Sequence, residues 1–433
     1  MSVLYLLTGI ALLIVLCYQG VKPFTAVLIV SIVVLLLNGM NVYAGLSQIF
    51  VGGFIKFLSA YFFILILGSL YGRLMSKSNF AKSFAFWMIK VFGEKNVLFV
   101  IIATSVVFSI VGINAFIIFY VVYPIGLVFC QEQNISKEVL VSAIWCFAFT
   151  MGLPGALSIN NIICSGYLGT NILTAGWLIG VIGSLVTFAL CILYTTRLNK
   201  KYKENGVEFV MGPMDHLYLS KLEEDEVLPG VGKSVIPLIS VAALSIGISQ
   251  FYDSVFGVIM GMSISCVIII MLDWKHIKKS IFHTINEGLW EGFTPLITIS
   301  ALVGFGAIMQ STVGFQEIIE YALSLKINNY LKVFVSTNIL VGITGSLSGG
   351  LTIFMEALAQ PLMDLGVSPE LFHRIAAMSC IGMDSLPHSA GIIGQLAIVQ
   401  LSLKQAYKHA FFLTVISTLI GALVATSLAI LLY

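Results

Sequence analysis

Charge is what this sequence lacks. Only 10% of its 433 residues are Asp, Glu, Lys or Arg, and from Val139 to Thr196 there are none. So few charges cannot keep the surface of a soluble domain hydrated. The net charge of +2 gives no basic field for nucleic acid. The seven cysteines (Cys17, Cys130, Cys146, Cys164, Cys191, Cys266 and Cys380) lie in apolar segments without CxxC spacing. They exclude a disulfide frame or a thiolate metal site and read as small core residues. The GxSxG, HExxH and GxxxxGK[ST] patterns are also missing, which argues against a hydrolase, a zincin and an ATP-driven pump. No metal or other cofactor is expected. The first apolar run, Val3 to Gln19, has no basic leader and no small-residue cleavage site, so it reads as a retained span.

What is present is apolar: 59% of the residues are hydrophobic, in runs long enough to cross a bilayer as helices of about 20 residues. The chain reads as an all-α polytopic membrane protein, multi-pass in a bacterial cell (inner or plasma) membrane. Spans are expected near 3–19, 24–40, 54–72, 139–153, 177–196, 235–252, 255–273, 293–310, 330–344 and 410–432. The apolar run Val97 to Cys130 is too long for one untilted helix and carries "SIVGINAF" (109–116) at its centre. The halves echo each other. Met75 and Met309 lie 234 residues apart, as do Cys146 and Cys380, and the pairs Leu153-Pro154 and Leu386-Pro387 lie 233 apart. A fixed offset with matching hydropathy marks a repeat. The organisation expected is 1–196, a first repeat with leading transmembrane helices; 197–233, a cytoplasmic linker loop; and 234–433, a second repeat. Arg73, Lys77, Lys82, Lys90 and Lys95 follow the third span, whereas Glu317 and Glu320 follow its counterpart. The positive-inside rule therefore makes the repeats inverted and the N-terminus external.

Inverted repeats with interrupted helices are the pattern of a secondary transporter. Irregular backbone at membrane depth is tolerated only where it is buried in protein or lines a wet cavity. Four such patches stand out: "VGINAFIIF" (111–119), "GLPGALSINNI" (152–162), "TGSLSGGLTIF" (344–354) and "MDSLPHSAGIIGQL" (383–396). Their breaks expose N–H groups able to hold an anion. Asn114, Ser158, Asn160, Asn161, Ser346, Ser348, Thr352, Ser385 and Ser389 are the candidate substrate contacts. Small residues in such helices also serve packing, and Asn160-Asn161 could cap a helix. Asp384 and His388 are ionisable groups at depth, which favours function, and Glu356 is a third. These three are the candidates for proton or ion coupling. Lys56, Lys90 and the basic residues after 272 read as interfacial anchors. No fixed positive charge stands in the four patches, so the anion would be held by dipoles and balanced by a cation.

These motifs, with "LGSLYGRLMSKSNFAKSF" (67–84), resemble the gluconate permease (GntP) family of the ion transporter superfamily over most of the chain. The resemblance implies re-entrant hairpins, a dimerising scaffold and an elevator-like transport domain. It also implies uptake of organic acids, usually with protons. Gluconate members carry histidines in the first hairpin and an aspartate in the first broken segment. Here the hairpin reads "MGLPGALSINN", and Ile117, Ile118 and Phe119 occupy the segment. A shorter, more apolar acid follows, such as 3-hydroxybutyrate or a related sugar acid, taken up by proton symport. Sodium-coupled symport and a cation/proton antiporter without organic substrate are the alternatives. The expected partners are the small anion, H+ (or Na+), the lipid bilayer and a second copy in a homodimer, with no nucleic acid.

Overall fold

The computed structural model describes residues 2–19, 21–93, 96–113, 115–212, 215, 228–252, 254–324, 326–387 and 389–433. Asn114, His388 and most of the loop between 213 and 227 lie outside the described residues. Among the described residues every regular element is a helix.

Two helices lead, α1 (Ser2–Tyr18) and α2 (Pro23–Leu37), the second opened by Pro23 at its first position, where no N–H is missed. Then a series runs α3 (Val42–Lys77), α4 (Phe80–Phe92), α5 (Val97–Ile110), α6 (Ala115–Glu132), α7 (Lys137–Trp145), α8 (Ile159–Leu168) and α9 (Trp177–Glu204). The 3-10 turn Cys146–Gly152 continues α7. After α10 (Val231–Ile248) and α11 (Ser254–Leu272) the series returns as α12 (Ile281–Gln310), α13 (Val313–Ser324), α14 (Asn329–Thr344), α15 (Leu347–Asp364), α16 (Pro369–Met383), α17 (Ala390–Val399) and α18 (Leu403–Leu432). Helix for helix, α3 to α9 correspond to α12 to α18.

The boundaries follow from local chemistry. Asn41 Oδ1 accepts from Ala44 N at 2.9 Å to start α3, and Ser402 with Gln405 forms a full capping box at the start of α18. Gly93, Gly169 and Gly345 end α4, α8 and α14, the last two in the left-handed region that a side chain resists. The expected break at 109–116 lies between Ile110 and Ala115. Several boundaries differ from expectation. The span near 54–72 runs from Val42 to Lys77, that near 293–310 begins at Ile281, that near 410–432 begins at Leu403, and α9 continues through Arg197 to Glu204, so the linker starts as helix. Lys200 and Glu204 pair at i,i+4, and Lys201 and Lys203 sit in the last turn, where they complement the helix dipole.

Two corresponding pairs, α3 with α12 and α9 with α18, pack on each other and run antiparallel. In α3 and α12, Gly53 meets Gly304, Ile66 meets Gly292 and Leu70 meets Gly288. In α9 and α18, Gly183 meets Gly421, Thr187 Oγ1 donates to Ser417 O, and Cys191 Sγ lies 3.4 Å from Ser417 Oγ. Small residues at both crossings let the backbones approach closely: a Cβ on Gly183 would stand 2.6 Å from Gly421 O. An antiparallel course of equivalent helices is what an inverted repeat requires.

Candidate functional site

Each half contains a broken helix pair (α5–α6, α14–α15) and a short hairpin (α7–α8, α16–α17). α8 and α17 have 10 residues each, about 15 Å of helix, half of what a bilayer core demands. The halves are interleaved: α6 of the first packs against α17 of the second, and α15 of the second packs against α8 of the first. Four helix N-termini, of α6, α8, α15 and α17, therefore lie at the breaks and hairpin tips.

The first break is clamped to the first hairpin. Leu157 N donates to Ile110 O at 2.9 Å. Gly112 has φ +82°, and a Cβ there would come 2.8 Å from Leu157 O, so glycine is needed twice over. The second hairpin is tied to the first half by Trp145 Nε1, which donates to Gln395 Oε1 at 2.7 Å, and by Phe116, whose ring lies against Gly394. A Cβ on Gly394 would stand 2.5 Å from Phe116 Cε1. Gly394→Ala should lower uptake several-fold by prying α17 from α6, and adding Phe116→Leu should restore most of it. Uptake by the two variants, normalised to membrane-inserted protein, checks this.

Most candidate substrate contacts make bonds inside the protein. Ser346 Oγ accepts from Gly349 N at 3.3 Å, and Ser389 Oγ from Gly391 N at 3.2 Å, so both cap the helices that follow. Ser385 Oγ donates to Asp384 Oδ1 at 2.7 Å in the half-buried turn after α16, and Tyr407 OH donates to Ser385 O. Ser158 Oγ donates to Met151 O at 3.0 Å. Asn161 Nδ2 lies 3.0 Å from Ala156 O and 3.2 Å from Leu153 O, holding the tip closed. Asn160 Nδ2 bridges Met151 O (2.9 Å) and Ala377 O (2.7 Å), joining the hairpin to α16. Among the described residues its Oδ1 is buried without a partner, as are Thr352 Oγ1 on α15 and Ser379 Oγ on α16. Both α15 and α16 pack against α8, the helix that carries Asn160. Buried polar atoms left unpaired call for a water, ion or ligand. Ser348 is buried in the first turn of α15.

Two findings concern cations. A fixed positive charge does stand at the first hairpin: Arg374, on α16 and wholly buried. Its Nε donates to Ala175 O (3.0 Å), Nη1 to Gly152 O (3.0 Å) and Asn161 Oδ1 (2.9 Å), and Nη2 to Ile172 O (3.1 Å). Gly176 and Gly180 leave room for its stem: a Cβ on either would fall 2.5 Å from it. The adjacent His373 joins Thr170 Oγ1 at 2.6 Å through Nδ1. Sequence reasoning passed over both because no break marks α16 there; the signal was a lone His-Arg pair in the apolar run "LFHRIAAM" (371–378). The second concerns Lys56, expected as an interfacial anchor. It sits fourteen residues inside α3 and pairs with Glu356 at 2.9 Å. An apolar groove of about 340 Å³ between α14, α16 and α18, lined by Phe334, Ile339, Met383 and Leu423, offers no charge to an anion.

Interleaved half-length helices among membrane-length ones define an all-α polytopic membrane transporter. The YdaH transporter of Alcanivorax borkumensis shares this fold, at TM-score 0.56 and 13% identity, over 88% of this chain and 87% of its own. The family description "GntP family permease" matches residues 1–431, and the chain belongs to that family. It is 27% identical over 460 residues to the uncharacterized transporter YxjC of Bacillus subtilis (strain 168), covering 96% of this chain and 97% of that protein. It is also 30% identical over 239 residues to a gluconate permease of Bacillus licheniformis, covering 52% of this chain and 50% of that one.

Proposed function

We propose that this permease takes up a small organic carboxylate by proton symport, with a short hydroxy acid such as 3-hydroxybutyrate as its preferred substrate. The observation that carries the reading is the interleaving of broken helices, which pairs α6 with α17 and α8 with α15. The N-termini at such breaks can hold an anion through N–H groups and dipoles. The one buried guanidinium beside them, Arg374, is already committed to three carbonyls and an amide oxygen. The likeness to a gluconate permease over half the chain supports an organic acid. The apolar Ile117, Ile118 and Phe119 in the first broken pair favour a less hydroxylated one.

Symport needs an acid that binds a proton together with the anion. Asp384, in the turn of the second hairpin, and Glu356, on α15, are the described carboxylates placed to do so, and His388 stands beside Asp384 in sequence. In this reading the repeats are related across the membrane plane, with the N-terminus outside and residues 197–233 in the cytoplasm. The hairpin body moves as an elevator against α3 and α12 within a homodimer. Sodium fits the first tip less well, because Asn161 and Arg374 already engage its carbonyls.

The test is uptake of labelled 3-hydroxybutyrate into sodium-free proteoliposomes, competed by gluconate, lactate, citrate and butyrate, with and without an inward proton gradient. Accumulation that needs the gradient is the expected result, with lactate the best competitor. No uptake of any acid, even with sodium restored, would sink the carboxylate reading and favour an antiporter.

A further inference from the structure

A second polar cluster lies outside the hairpin tips, in the seam where α3 and α12 meet the hairpin body. Glu356, more than two turns into α15, has a side chain only 8% exposed. Lys56 Nζ from α3 stands 2.9 Å from its Oε1, and Tyr167 OH from α8 donates to the same oxygen at 2.9 Å. Gln310 Nε2 from α12 lies 3.4 Å from Oε2. Three separate helices thus converge on one carboxylate.

Lys56 itself is 63% exposed, and Gly52 and Ser59 beside it are exposed too. At 36 residues α3 is longer than a bilayer core of about 30 Å needs, and Lys56 lies about 31 Å from its end at Lys77, so its open side stands toward the opposite aqueous rim. An ion pair buried on the acid's side and open on the base's side can be entered by a competing anion.

We propose that Lys56 is an anion-binding residue whose seat Glu356 occupies in this conformation, and that an incoming carboxylate exchanges with it. The inference rests on the carboxylate reading above. When the substrate carboxylate takes the ammonium, Glu356 stays buried without its counter-charge and takes a proton from the aqueous side. One O–H bond forms and no other bond changes. The cluster keeps its net charge, because one anion and one proton arrive together. Binding of each therefore strengthens binding of the other, which is the coupling a symporter needs.

The other titratable groups around Glu356 do not supply this. α3 adds Tyr61 and α8 adds Tyr167 and Cys164, which are neutral donors. α12 presents the amide of Gln310. On α13, Glu317 accepts from Ser2 Oγ. On α16, His373 and Arg374 are engaged at the first hairpin. On α14, Lys332 lies toward the far end of α15, where Asn329 Nδ2 reaches Leu365 O.

The test counts protons in weakly buffered detergent solution near pH 7 with an indicator dye, on addition of 3-hydroxybutyrate. Wild type should take up about one proton per bound anion. E356Q should bind the acid while taking up none, and the apparent affinity, which in wild type weakens as pH rises, should become independent of pH. K56M should bind at least tenfold more weakly, and K56R should recover most of that loss. The double variant K56M/E356Q, which leaves no unpaired charge, controls for folding by its elution profile. Proton uptake kept in E356Q and lost in D384N would put the proton on Asp384 and overturn the exchange, leaving the carboxylate reading intact. No binding of the acid by wild type would instead remove the reading on which the exchange rests.

Discussion

Arg374→Met should lower the apparent melting temperature of the solubilised protein by on the order of 5–10 °C and abolish uptake. The guanidinium is wholly buried and gives hydrogen bonds to Gly152, Ile172 and Ala175 carbonyls and to Asn161 Oδ1. Methionine fills the space between Gly176 and Gly180 but leaves the Gly152 and Ala175 carbonyls without their donor, while Ile172 O keeps Gly155 N and Asn161 Oδ1 keeps only the longer contact to His373 Nε2. At about 1–3 kcal/mol for each buried group left unpaired, the loss is roughly 2–5 kcal/mol. The damage concentrates at the first hairpin, because Asn161 then loses the closer partner that orients its carbonyl oxygen while its amide closes the tip. Arg374→Lys should fail as well, since an ammonium is a point donor that cannot reach carbonyls spread over residues 152 to 175. Thermal unfolding followed by intrinsic fluorescence, with uptake on the same preparations, checks both. A lysine variant that melts and transports like wild type would show that charge alone, and not the fork, is needed.

Asp215→Asn should destabilise by about 3–5 kcal/mol, because it strands a buried lysine. Asp215 is fully buried although it belongs to the linker, and Lys137 Nζ at the start of α7 lies 2.8 Å from its Oδ2. Gly212 N donates to Oδ2 at 2.6 Å, and Tyr123 OH of α6 donates to Oδ1 at 3.0 Å and to Val399 O at 3.2 Å. The linker is thus stitched to α6, α7 and the end of α17. Removing the acid alone loses the attraction and keeps the cost of burying Lys137, so the single variant is the severe one. The pair Lys137→Met with Asp215→Leu should recover most of the stability, since apolar replacements of a buried pair are often neutral. Limited trypsin digestion reports it directly: cleavage after Lys203 should quicken in the single variant and return toward wild type in the double one.

The architecture was legible in the sequence where backbone chemistry signals itself. The 34-residue apolar run from Val97 to Cys130 had to be broken, and Gly112 with its positive φ is where it breaks. The offset between the halves was legible because the same turn recurs in each, Leu153-Pro154 and Leu386-Pro387. Partners in space were not legible. Asn161 and Ser389 have the residue types of a ligand shell, yet Asn161 closes a turn and Ser389 caps a helix. No pattern within either segment separates those uses. The ion pair of Lys56 was not legible either, because its partner Glu356 lies 300 residues away in sequence. Arg374 was missed because its acceptors are carbonyls from 152 to 175, about two hundred residues away in sequence.

The interleaving of the halves also bears on how the molecule can be made. α6 finds its partner in α17, and α8 finds its own in α15. Asn160 bonds to Ala377 O, Trp145 to Gln395, and Tyr123 to Val399 O. A ribosome that has delivered residues 1–204 has delivered one side of each of these contacts and the whole of none. Until the chain reaches the end of α17, the first hairpin is held by its own half alone, through Leu157 N on Ile110 O, and every contact it makes with the second half forms last.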